Sequence, residues 1–248
     1  MKTFRADLHV HTVLSPCADI EMIPPLIVDE ALQRGINLIA ITDHNATANI
    51  SAVQQAAGDS GLIVLPGMEL QTHEEVHVLC LFDTLDQAAE LQNWVDARLP
   101  NIANNPDFFG EQFVVDQTGD FLWREERLLL NSIDATLHEA WQFVDDLGGL
   151  FIPAHINRRA FGLIAILGLV PTDIPFEALE ISRHINPAEA MQKFPQISGY
   201  PLIQNGDVHY LDDFLGSMTW TVAAPRIEEL RKSIRGEDGR TCQIHQPE

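Results

Sequence analysis

Cysteine, tyrosine and basic residues are all scarce in this chain of 248 residues. It contains 3 cysteines and 2 tyrosines, and its 15 lysines and arginines are outnumbered by 36 aspartates and glutamates. Three scattered cysteines do not make the even, regularly spaced set of a disulfide-stabilised secreted domain. The formal charge of −21 argues against a nucleic-acid polymer as partner, because phosphate contacts need clustered lysine and arginine.

Long apolar runs are also absent. No stretch approaches the roughly 20 apolar residues that a membrane span needs, and MKTFRADLHV lacks the apolar segment of a signal peptide. We therefore expect a cytoplasmic protein with no membrane partner. Hydrophobic residues make up 46% of the chain, which suits one globular domain over residues 1–248. Nothing in the sequence indicates the oligomeric state.

Seven short apolar runs alternate with longer amphipathic segments, which is the pattern of βα units around a parallel sheet or barrel. We therefore predict an α/β barrel. The predicted strands are FRADLHVH, NLIAITDH, GLIVLPGMEL, VHVLCLF, GGLFIPAH, ALEISRH and YPLIQNGDVH. The predicted helices are IPPLIVDEALQRG, TLDQAAELQNWVDARLP, ATLHEAWQFVDDLGG and APRIEELRKSIRG.

Residues 100–134 interrupt this alternation. They contain polar turns, with Thr118-Gly119-Asp120 between two segments that suit a β-hairpin. About 35 residues is long for a structureless loop inside a domain. We predict an insertion or lid with some order of its own.

Most of the predicted strands end on a residue that can bind a metal ion. In parallel βα barrels the carboxyl ends of the strands converge on one side of the molecule, so these residues are expected to meet. His9 and His11 are two positions apart and therefore point to the same side of a strand, and Asp207 and His209 repeat the arrangement. The residues at strand ends are His9, His11, His44, Glu69, His155, Asp207 and His209.

Neutral imidazoles combined with a few carboxylates suit zinc, manganese or iron better than magnesium or calcium. The set is too large for one ion. Asp43 and Asn45, on either side of His44, are expected to orient that histidine or to cap the following helix.

Together these segments resemble the motifs of the PHP (polymerase and histidinol phosphatase) family of metal-dependent phosphoesterases. DLHVHT is similar to the first motif, ITDHN to the second, PGMEL with the later VHVL to the Glu and His pair, IPAH to the third, and NGDVHYLDD to the fourth. The resemblance extends over residues 5–216 with the motifs in family order. It implies a distorted (βα)7 TIM-like barrel that holds two or three divalent ions of zinc, manganese or iron.

The resemblance also implies which residues would bind each ion. The implied ligands are His9, His11, Glu69 and Asp207 for a first ion, Glu69, His77 and His155 for a second, and His44 and His209 with a loop residue for a third. The family commonly has His or Asp at that loop position, whereas the matching register here falls on Cys17, with Asp19 as the alternative. A thiolate is an acceptable zinc or iron ligand.

The expected chemistry is phosphoester hydrolysis by a hydroxide that bridges the ions, because two or three adjacent cations lower the pKa of a bridging water. No serine lies in a Gly-x-Ser-x-Gly elbow, so no catalytic residue is predicted beyond the metal ligands. Arg158 and Arg159 follow His155, and Arg183 ends the sixth run. These guanidinium groups are candidates to bind the substrate phosphate.

The predicted substrate, and the predicted partner, is a small phosphomonoester such as a nucleotide, sugar or amino-alcohol phosphate. Two alternatives stay open. A metal-dependent amidohydrolase also begins with His-x-His on a barrel strand, and some PHP modules are not catalytic.

Overall fold

A computed structural model describes residues 1–245 of the chain. Short strands and helices follow one another along these residues. The strands are β1 (Lys2–Val10), β2 (Leu38–Ile41), β3 (Ile63–Gln71), β4 (His77–Leu81), β5 (Phe113–Val115), β6 (Phe121–Arg124), β7 (Leu150–Pro153), β8 (Leu179–Ile181), β9 (Leu202–Gln204), β10 (Met218–Val222) and β11 (Thr241–Ile244). The helices are α1 (Pro24–Gln33), α2 (Ile50–Ala57), α3 (Leu85–Asp96), α4 (Pro106–Phe109), α5 (Leu137–Asp146), α6 (Leu163–Leu167), α7 (Pro187–Lys193) and α8 (Ile227–Ile234).

Seven strands form one sheet in the order β11-β10-β1-β2-β3-β4-β7, and β8 pairs with β9 in a second sheet. The two sheets adjoin at both sides, because Val10 bridges to Val208 after β9 and the Ile156 amide after β7 donates to the Glu180 carbonyl. The fold is therefore a mixed α/β fold with a curled sheet. Closure into a complete (βα)7 barrel stays a prediction.

All seven predicted strands are present, but an entirely parallel sheet is wrong. β1, β2 and β3 pair in parallel, whereas β4 runs antiparallel to both of its neighbours, β3 and β7. The reason is the connection between β3 and β4, which spans only residues 72–76. A parallel connection needs a crossover of a dozen or more residues, so this short turn can only form a hairpin.

The apolar core lies on both sides of the sheet. On the concave side the interior is filled by fully buried side chains such as Leu8, Leu38, Leu79 and Trp220. On the other side the strands pack against the buried stripes of α1, α2, α3 and α5. Large branched and aromatic side chains in the interior make it a packed core rather than a channel.

Residues 100–134 contain α4 and the antiparallel hairpin β5–β6, with the predicted turn between the two strands. Asn49 contacts the hairpin through both polar atoms of its side-chain amide. The nitrogen donates to the Phe113 carbonyl, and the oxygen accepts from the Val115 backbone amide. Gly110 lies so close to the loop after β1 that an added Cβ atom would be 2.0 Å from the Pro16 carbonyl oxygen. The segment is thus fastened to two of the loops that follow the central strands. A lid function stays a prediction.

No helix within residues 1–245 is both long and apolar enough to cross a membrane.

Candidate metal centre

The carboxyl ends of the central strands bring all nine predicted metal ligands to one place. β1 and the loop after it contribute two imidazoles and a thiol, β3 and β4 contribute a carboxylate and an imidazole, and the turns after β2, β7 and β9 contribute the rest. The centroids of neighbouring imidazole rings lie between 4.0 and 5.9 Å apart. The clustered residues are His9, His11, Cys17, His44, Glu69, His77, His155, Asp207 and His209.

Two imidazoles and two carboxylates surround a first common point. His9 Nε2 lies 3.3 Å from Asp207 Oδ1 and 3.4 Å from Glu69 Oε1. His11 Nε2 lies 3.5 Å from Asp207 Oδ1 and 3.4 Å from Glu69 Oε2. A tetrahedron has edges about 1.6 times its centre-to-corner distance, so bonds of about 2.0–2.2 Å give ligand separations of about 3.3–3.6 Å. The spacing of the two imidazole nitrogens from these carboxylate oxygens therefore suits a zinc-like ion.

Glu69 also belongs to a second group of donors. Its Oε1 lies 2.9 Å from both His77 Nδ1 and His155 Nε2, and its Oε2 lies 3.0 Å from His44 Nδ1. Both carboxylate oxygens are thus surrounded by imidazole nitrogens. Such a carboxylate can bridge two neighbouring ions.

A third group lies at the edge of the cluster. The Cys17 sulfur is 3.1 Å from His209 Nε2, and the charge of nearby His44 lowers the pKa of the thiol. Asp19, the alternative ligand in this loop, is not part of the cluster: its Oδ1 accepts a hydrogen bond from the Glu21 amide at 2.9 Å.

The residues present fit divalent cations. Almost all buried polar groups in proteins have a hydrogen-bond partner, yet within residues 1–245 several of these buried atoms have none. They are His9 Nε2, His11 Nε2, Glu69 Oε2 and His155 Nδ1. Nitrogen lone pairs and carboxylate oxygens that converge without donors are what a bound cation would satisfy.

Charges within the cluster shift the pKa values of its members. Burial opposes ionisation of Glu69, but His77, His9 and His44 outweigh it and hold the pKa of Glu69 well below its usual value. Burial is also the main reason that the pKa of His77 falls to about 4, so this imidazole is neutral at pH 7. A neutral imidazole is the form that binds metal.

Burial and neighbouring charges also have opposite effects on the pKa of Cys17, at the edge of the cluster. Burial disfavours the Cys17 thiolate, but the charge of His44 and the hydrogen bond with His209 lower the pKa of Cys17 to about 5.

A buried glutamate that the sequence analysis missed, Glu180 in β8, orients two members of the cluster. Its carboxylate accepts from His9 Nδ1 at 3.1 Å and from the His155 amide at 2.8 Å, while Asn205 donates to its other oxygen. Because a carboxylate only accepts, His9 carries its proton on Nδ1 and presents the Nε2 lone pair to the cluster. The available signal was a charged residue in the middle of the apolar run ALEI.

Asp43 acts on the cluster indirectly, through Ser15. Ser15 Oγ donates to Asp43 at 2.6 Å and is 2.9 Å from His11 Nδ1, so the pair orients His11 as well as the backbone of His44. Asn45 does neither of the things predicted for it. Its amide donates to the carbonyls of Leu129 and Asn131 and so fastens residues 100–134 to the turn after β2 that carries His44.

The turns that carry the ligands are conformationally unusual. His155 and Asp207 have positive φ angles of 29° and 51°, and Asn45, next to His44, has a φ of 49°. Such conformations cost free energy for residues other than glycine and persist where the surrounding contacts impose them, often at functional sites. Glu180 provides one such contact through the His155 amide.

A cavity of about 590 Å³ opens above the cluster. Two of the three predicted phosphate-binding arginines line it: Arg158, which hydrogen-bonds Asp207 Oδ2, and Arg183, whose Nη1 lies 2.7 Å from Asp213 Oδ1. Arg159 is exposed and does not line the cavity. Phe109 from residues 100–134 also lines the cavity.

Two curated relatives show what the chain is similar to. It is 26% identical over 242 residues to the protein YqxK of Bacillus subtilis, covering 85% of this chain and 56% of that protein. It is 36% identical over 80 residues to the 5'-3' exoribonuclease Rnm of Salmonella typhimurium, covering 30% of this chain and 26% of the exoribonuclease. The chain therefore spans about half the length, or less, of the curated relatives that it matches.

Among solved structures, the chain is similar to the lesion-specific endonuclease PfuEndoQ of Pyrococcus furiosus. The TM-score is 0.70 at 20% identity, and the match covers 97% of this chain and 58% of the endonuclease chain. An endonuclease Q in complex with a 27-mer duplex that has an abasic lesion at the active site matches with the same score and coverage. At 20% identity this likeness shows the fold.

The expectation that the acidic charge excludes a nucleic-acid polymer is wrong. One similar structure contains a DNA duplex, and one relative is named an exoribonuclease. Net charge is a sum over the whole surface, whereas a nucleic acid contacts only part of it. Arg158 and Arg183 place positive charge around this cavity, although the net charge of the chain is −21.

The model of the PHP domain matches residues 7–135, which is more than half of the chain. These residues include the ends of β1, β2 and β3 and the start of β4, where six of the nine clustered side chains lie. Members of this family bind divalent metals, in agreement with the donor clusters described above. The chain belongs to the PHP domain family.

Proposed function

We propose that the protein is a metal-dependent hydrolase of phosphate esters. The observation that carries this proposal is the convergence of buried, unpartnered imidazole nitrogens and carboxylate oxygens at the floor of a cavity that also contains two arginines. The combination suits phosphate chemistry, because metal ions would neutralise the carboxylates at the floor of the cavity and the arginines would bind the anionic phosphate. Two or three ions of zinc, manganese or iron are the proposed cofactors.

We base the proposed assignment of ligands to each ion on the distances within the cluster. His9, His11, Glu69 and Asp207 would hold one ion, and Glu69 would share a second with His77 and His155. Such cations lower the pKa of water and polarise the phosphoryl oxygens of an ester. Glu180 and the Ser15–Asp43 pair keep the Nε2 atoms of His9 and His11 directed at the cluster.

Arg158 and Arg183 are the proposed phosphate-binding groups. Each is paired with an acid, Asp207 or Asp213, through a terminal nitrogen, and both line the cavity. A planar fork with several donors binds phosphate in a bidentate manner. Arg158 also connects the phosphate position to the first ion, since its partner Asp207 is one of the proposed ligands.

The proposed substrate is a phosphomonoester, such as a nucleotide, sugar or amino-alcohol phosphate, which a cavity of about 590 Å³ accommodates. The second candidate is the end or backbone of a nucleic acid. It is favoured by the match to exoribonuclease Rnm and by the likeness to endonuclease Q.

A panel of esters tests the proposal and separates the substrate classes. The purified chain is assayed with Mn²⁺ or Zn²⁺ on p-nitrophenyl phosphate, bis(p-nitrophenyl) phosphate, sugar phosphates, nucleotides, 5′-phosphorylated oligonucleotides and a duplex with an abasic site. We expect metal-dependent release of phosphate or nucleotide that the double variant His9→Ala, His11→Ala loses. His138→Ala is the matched control, because His138 is exposed on α5.

Activity that the double variant retains would contradict the proposal. Hydrolysis of amides but not of phosphate esters would favour an amidohydrolase. Metal binding with no hydrolysis of any substrate would favour a non-catalytic PHP module.

A further inference from the structure

The cavity above the cluster is lined by three aromatic side chains that the proposed chemistry does not use. They are Phe109 of α4, Phe161 of the turn between β7 and α6, and Tyr210 of the turn after β9. Each is partly exposed, and each comes from a different segment of the chain. Neither metal binding nor contact with a phosphate group needs an aromatic ring, so these side chains are available for another part of the substrate.

Phe161 is held beside the cluster by His77. Its ring stacks on the imidazole, with centroids 4.4 Å apart and planes inclined by 8°, and its carbonyl accepts from the His77 amide at 3.0 Å. Phe161 has a φ of 60°, a conformation that costs free energy for a bulky side chain. His77 covers one face of the ring, so the part that lines the cavity is what a ligand can contact.

The same turn carries Arg158, one of the proposed phosphate-binding groups. The Arg158 amide donates to the His155 carbonyl at 2.9 Å, and an added Cβ atom on Gly162 would clash with the Arg158 carbonyl oxygen. The backbone next to Phe161 is thus packed directly on the backbone of Arg158. One compact turn therefore supplies both an aromatic ring and a guanidinium group to the cavity.

Phe109 is fixed in place at the end of α4. Its amide donates to the Asn105 carbonyl at 2.9 Å, and its ring meets the ring of Phe108 edge to face, with centroids 4.7 Å apart. The next residue, Gly110, packs against the backbone of Pro16. These contacts order the backbone on both sides of the ring, which lowers the entropic cost of stacking a ligand on it.

We propose that Phe109 and Phe161 form a base-binding subsite, so that the substrate is a phosphate ester that carries a purine or pyrimidine base. Aromatic side chains can stack on any base, because every base has a π-face, whereas a sugar phosphate has none. A cavity of about 590 Å³ can hold base, sugar and phosphate together. The inference rests on the proposed hydrolase and narrows its substrates to nucleotides, either free or at the end of a strand.

A matched pair of substrates isolates the contribution of the base. AMP and ribose 5-phosphate have the same phosphate on the same sugar and differ in the base. In assays of the full chain with Mn²⁺, we expect kcat/KM to be at least about tenfold higher for AMP. Phe109→Leu and Phe161→Leu keep apolar bulk but remove the ring. Each should lower kcat/KM for AMP by about 5–100-fold, mainly through KM, with little change for ribose 5-phosphate.

Two further variants control for loss of structure. Phe121→Leu should behave as wild type, because Phe121 is exposed on β6 and does not line the cavity. Phe109→Tyr should keep the preference for AMP, since it retains the ring. Equal kcat/KM for the two substrates in the wild type would overturn the subsite and leave the proposed hydrolase standing. Equal losses for both substrates in the leucine variants of Phe109 and Phe161 would have the same meaning.

A 5′-phosphorylated oligoadenylate, assayed beside AMP, distinguishes the end of a strand from a free nucleotide. Hydrolysis of either at a higher kcat/KM than that of ribose 5-phosphate supports the subsite. Hydrolysis of both at or below that value would contradict it.

Nucleoside binding tests the subsite without hydrolysis. Saturation-transfer difference NMR is recorded on the full chain with adenosine. We expect stronger saturation of the adenine ring protons than of the ribose protons, and a fall of at least about fivefold in Phe109→Leu but not in Phe121→Leu. Strong saturation of the base with no hydrolysis of any ester would overturn the proposed hydrolase and support the subsite. Equal saturation of base and ribose would overturn the subsite.

Discussion

At the scale of single residues, the centre depends on side chains that would not themselves touch a metal ion. Glu180 is the clearest example, because one buried carboxylate receives hydrogen bonds from a side chain on β1 and from the backbone after β7. Both donors belong to proposed ligands, His9 and His155. A single acid therefore fixes the orientation of groups from two sides of the cluster.

Glu180→Gln should weaken metal binding while the fold is kept. The amide can still accept from His9 Nδ1, but it lacks the negative charge that makes the imidazole a stronger ligand. We expect Mn²⁺ affinity, measured by isothermal titration calorimetry, to fall by about 10–100-fold. Glu177→Gln is the matched control, because that acid pairs with Arg231 and Arg235 away from the cluster. Equal affinities in the two variants would show that Glu180 does not act through His9.

Residue patterns predicted the proposed ligands but not the residues that support them. His9, His11 and Asp207 were recognisable because metal-binding side chains at strand ends are few and chemically distinctive. Glu180 and Ser15 were not, since one charged residue within an apolar run and one serine in a loop are compatible with many roles. Arg159 was placed beside Arg158 by adjacency alone, and neighbouring side chains in a turn point in different directions.

At the scale of secondary-structure elements, residues 100–134 are fixed to the ligand-bearing loops by close contacts. Gly110 has a φ of 102°, and an added Cβ atom would be 2.0 Å from the Pro16 carbonyl oxygen. The contact connects the end of α4 with the loop that carries Cys17. It is possible only because glycine lacks a side chain.

Gly110→Ala should therefore destabilise the protein by more than about 1 kcal/mol in urea unfolding, through both the positive φ and the clash. Gly199→Ala separates the two causes, because Gly199 has a φ of 89° with no atom within 4 Å of an added Cβ. We expect the larger loss in Gly110→Ala. Equal losses would mean that the approach to Pro16 contributes nothing to stability.

The pairing of Glu229 in α8 with Arg240, just before β11, should make stability pH-dependent. Both guanidinium contacts are short, at 2.8 and 2.9 Å, and with the Ala223 amide they lower the pKa of Glu229 to about 2. A lowered folded-state pKa stabilises the fold above the ordinary value near 4.5, and this contribution disappears as the pH falls towards 2.

Thermal unfolding between pH 5 and pH 2 checks this expectation. Wild type should lose more stability over that interval than Glu229→Gln, in which the group no longer titrates. Glu228→Gln, at an exposed neighbouring position, should follow the wild type. A parallel decline of all three proteins would contradict the role given to the Glu229–Arg240 pair.

Seven strands and four helices could be predicted because their apolar periodicity is local to each segment. The direction of β4 was missed, although the five-residue connection after β3 was a sufficient signal. β10 and β11 were not predicted as strands either. Closure of the sheet depends on contacts between distant segments, such as Val10 with Val208, which periodicity does not encode.

At the scale of the whole molecule, buried carboxylates and imidazoles form a group that a bound cation would complete. A ligand that binds only the folded state stabilises it by about 2.7 kcal/mol at a concentration 100 times its dissociation constant. Zn²⁺ or Mn²⁺ should therefore raise the melting temperature, and a chelator should lower it again. The double variant His9→Ala, His11→Ala should show a smaller shift, because only the donors around Glu69, His77 and His155 remain, and a shift of equal size in it would place the binding elsewhere.

The net charge of −21 was the least informative whole-molecule property. It led to the exclusion of nucleic acids, although charge that is spread over a surface says little about one cavity. The acids have several separate uses: Glu69 and Asp207 lie in the centre, Glu229 pairs with Arg240, and others are exposed to solvent. Only their positions in the fold distinguish these uses.

The hairpin of β3 and β4 also has a consequence for the order of folding. It brings Glu69 and His77 together across a turn of five residues, whereas His9 and Asp207 must meet from opposite ends of the chain. Loop-closure entropy favours contacts between residues close in sequence, so the hairpin donors should assemble first and the donors of β1 and β9 later. A metal ion present during refolding would then encounter a partly built site, and could capture or delay the chain before the last ligands arrive.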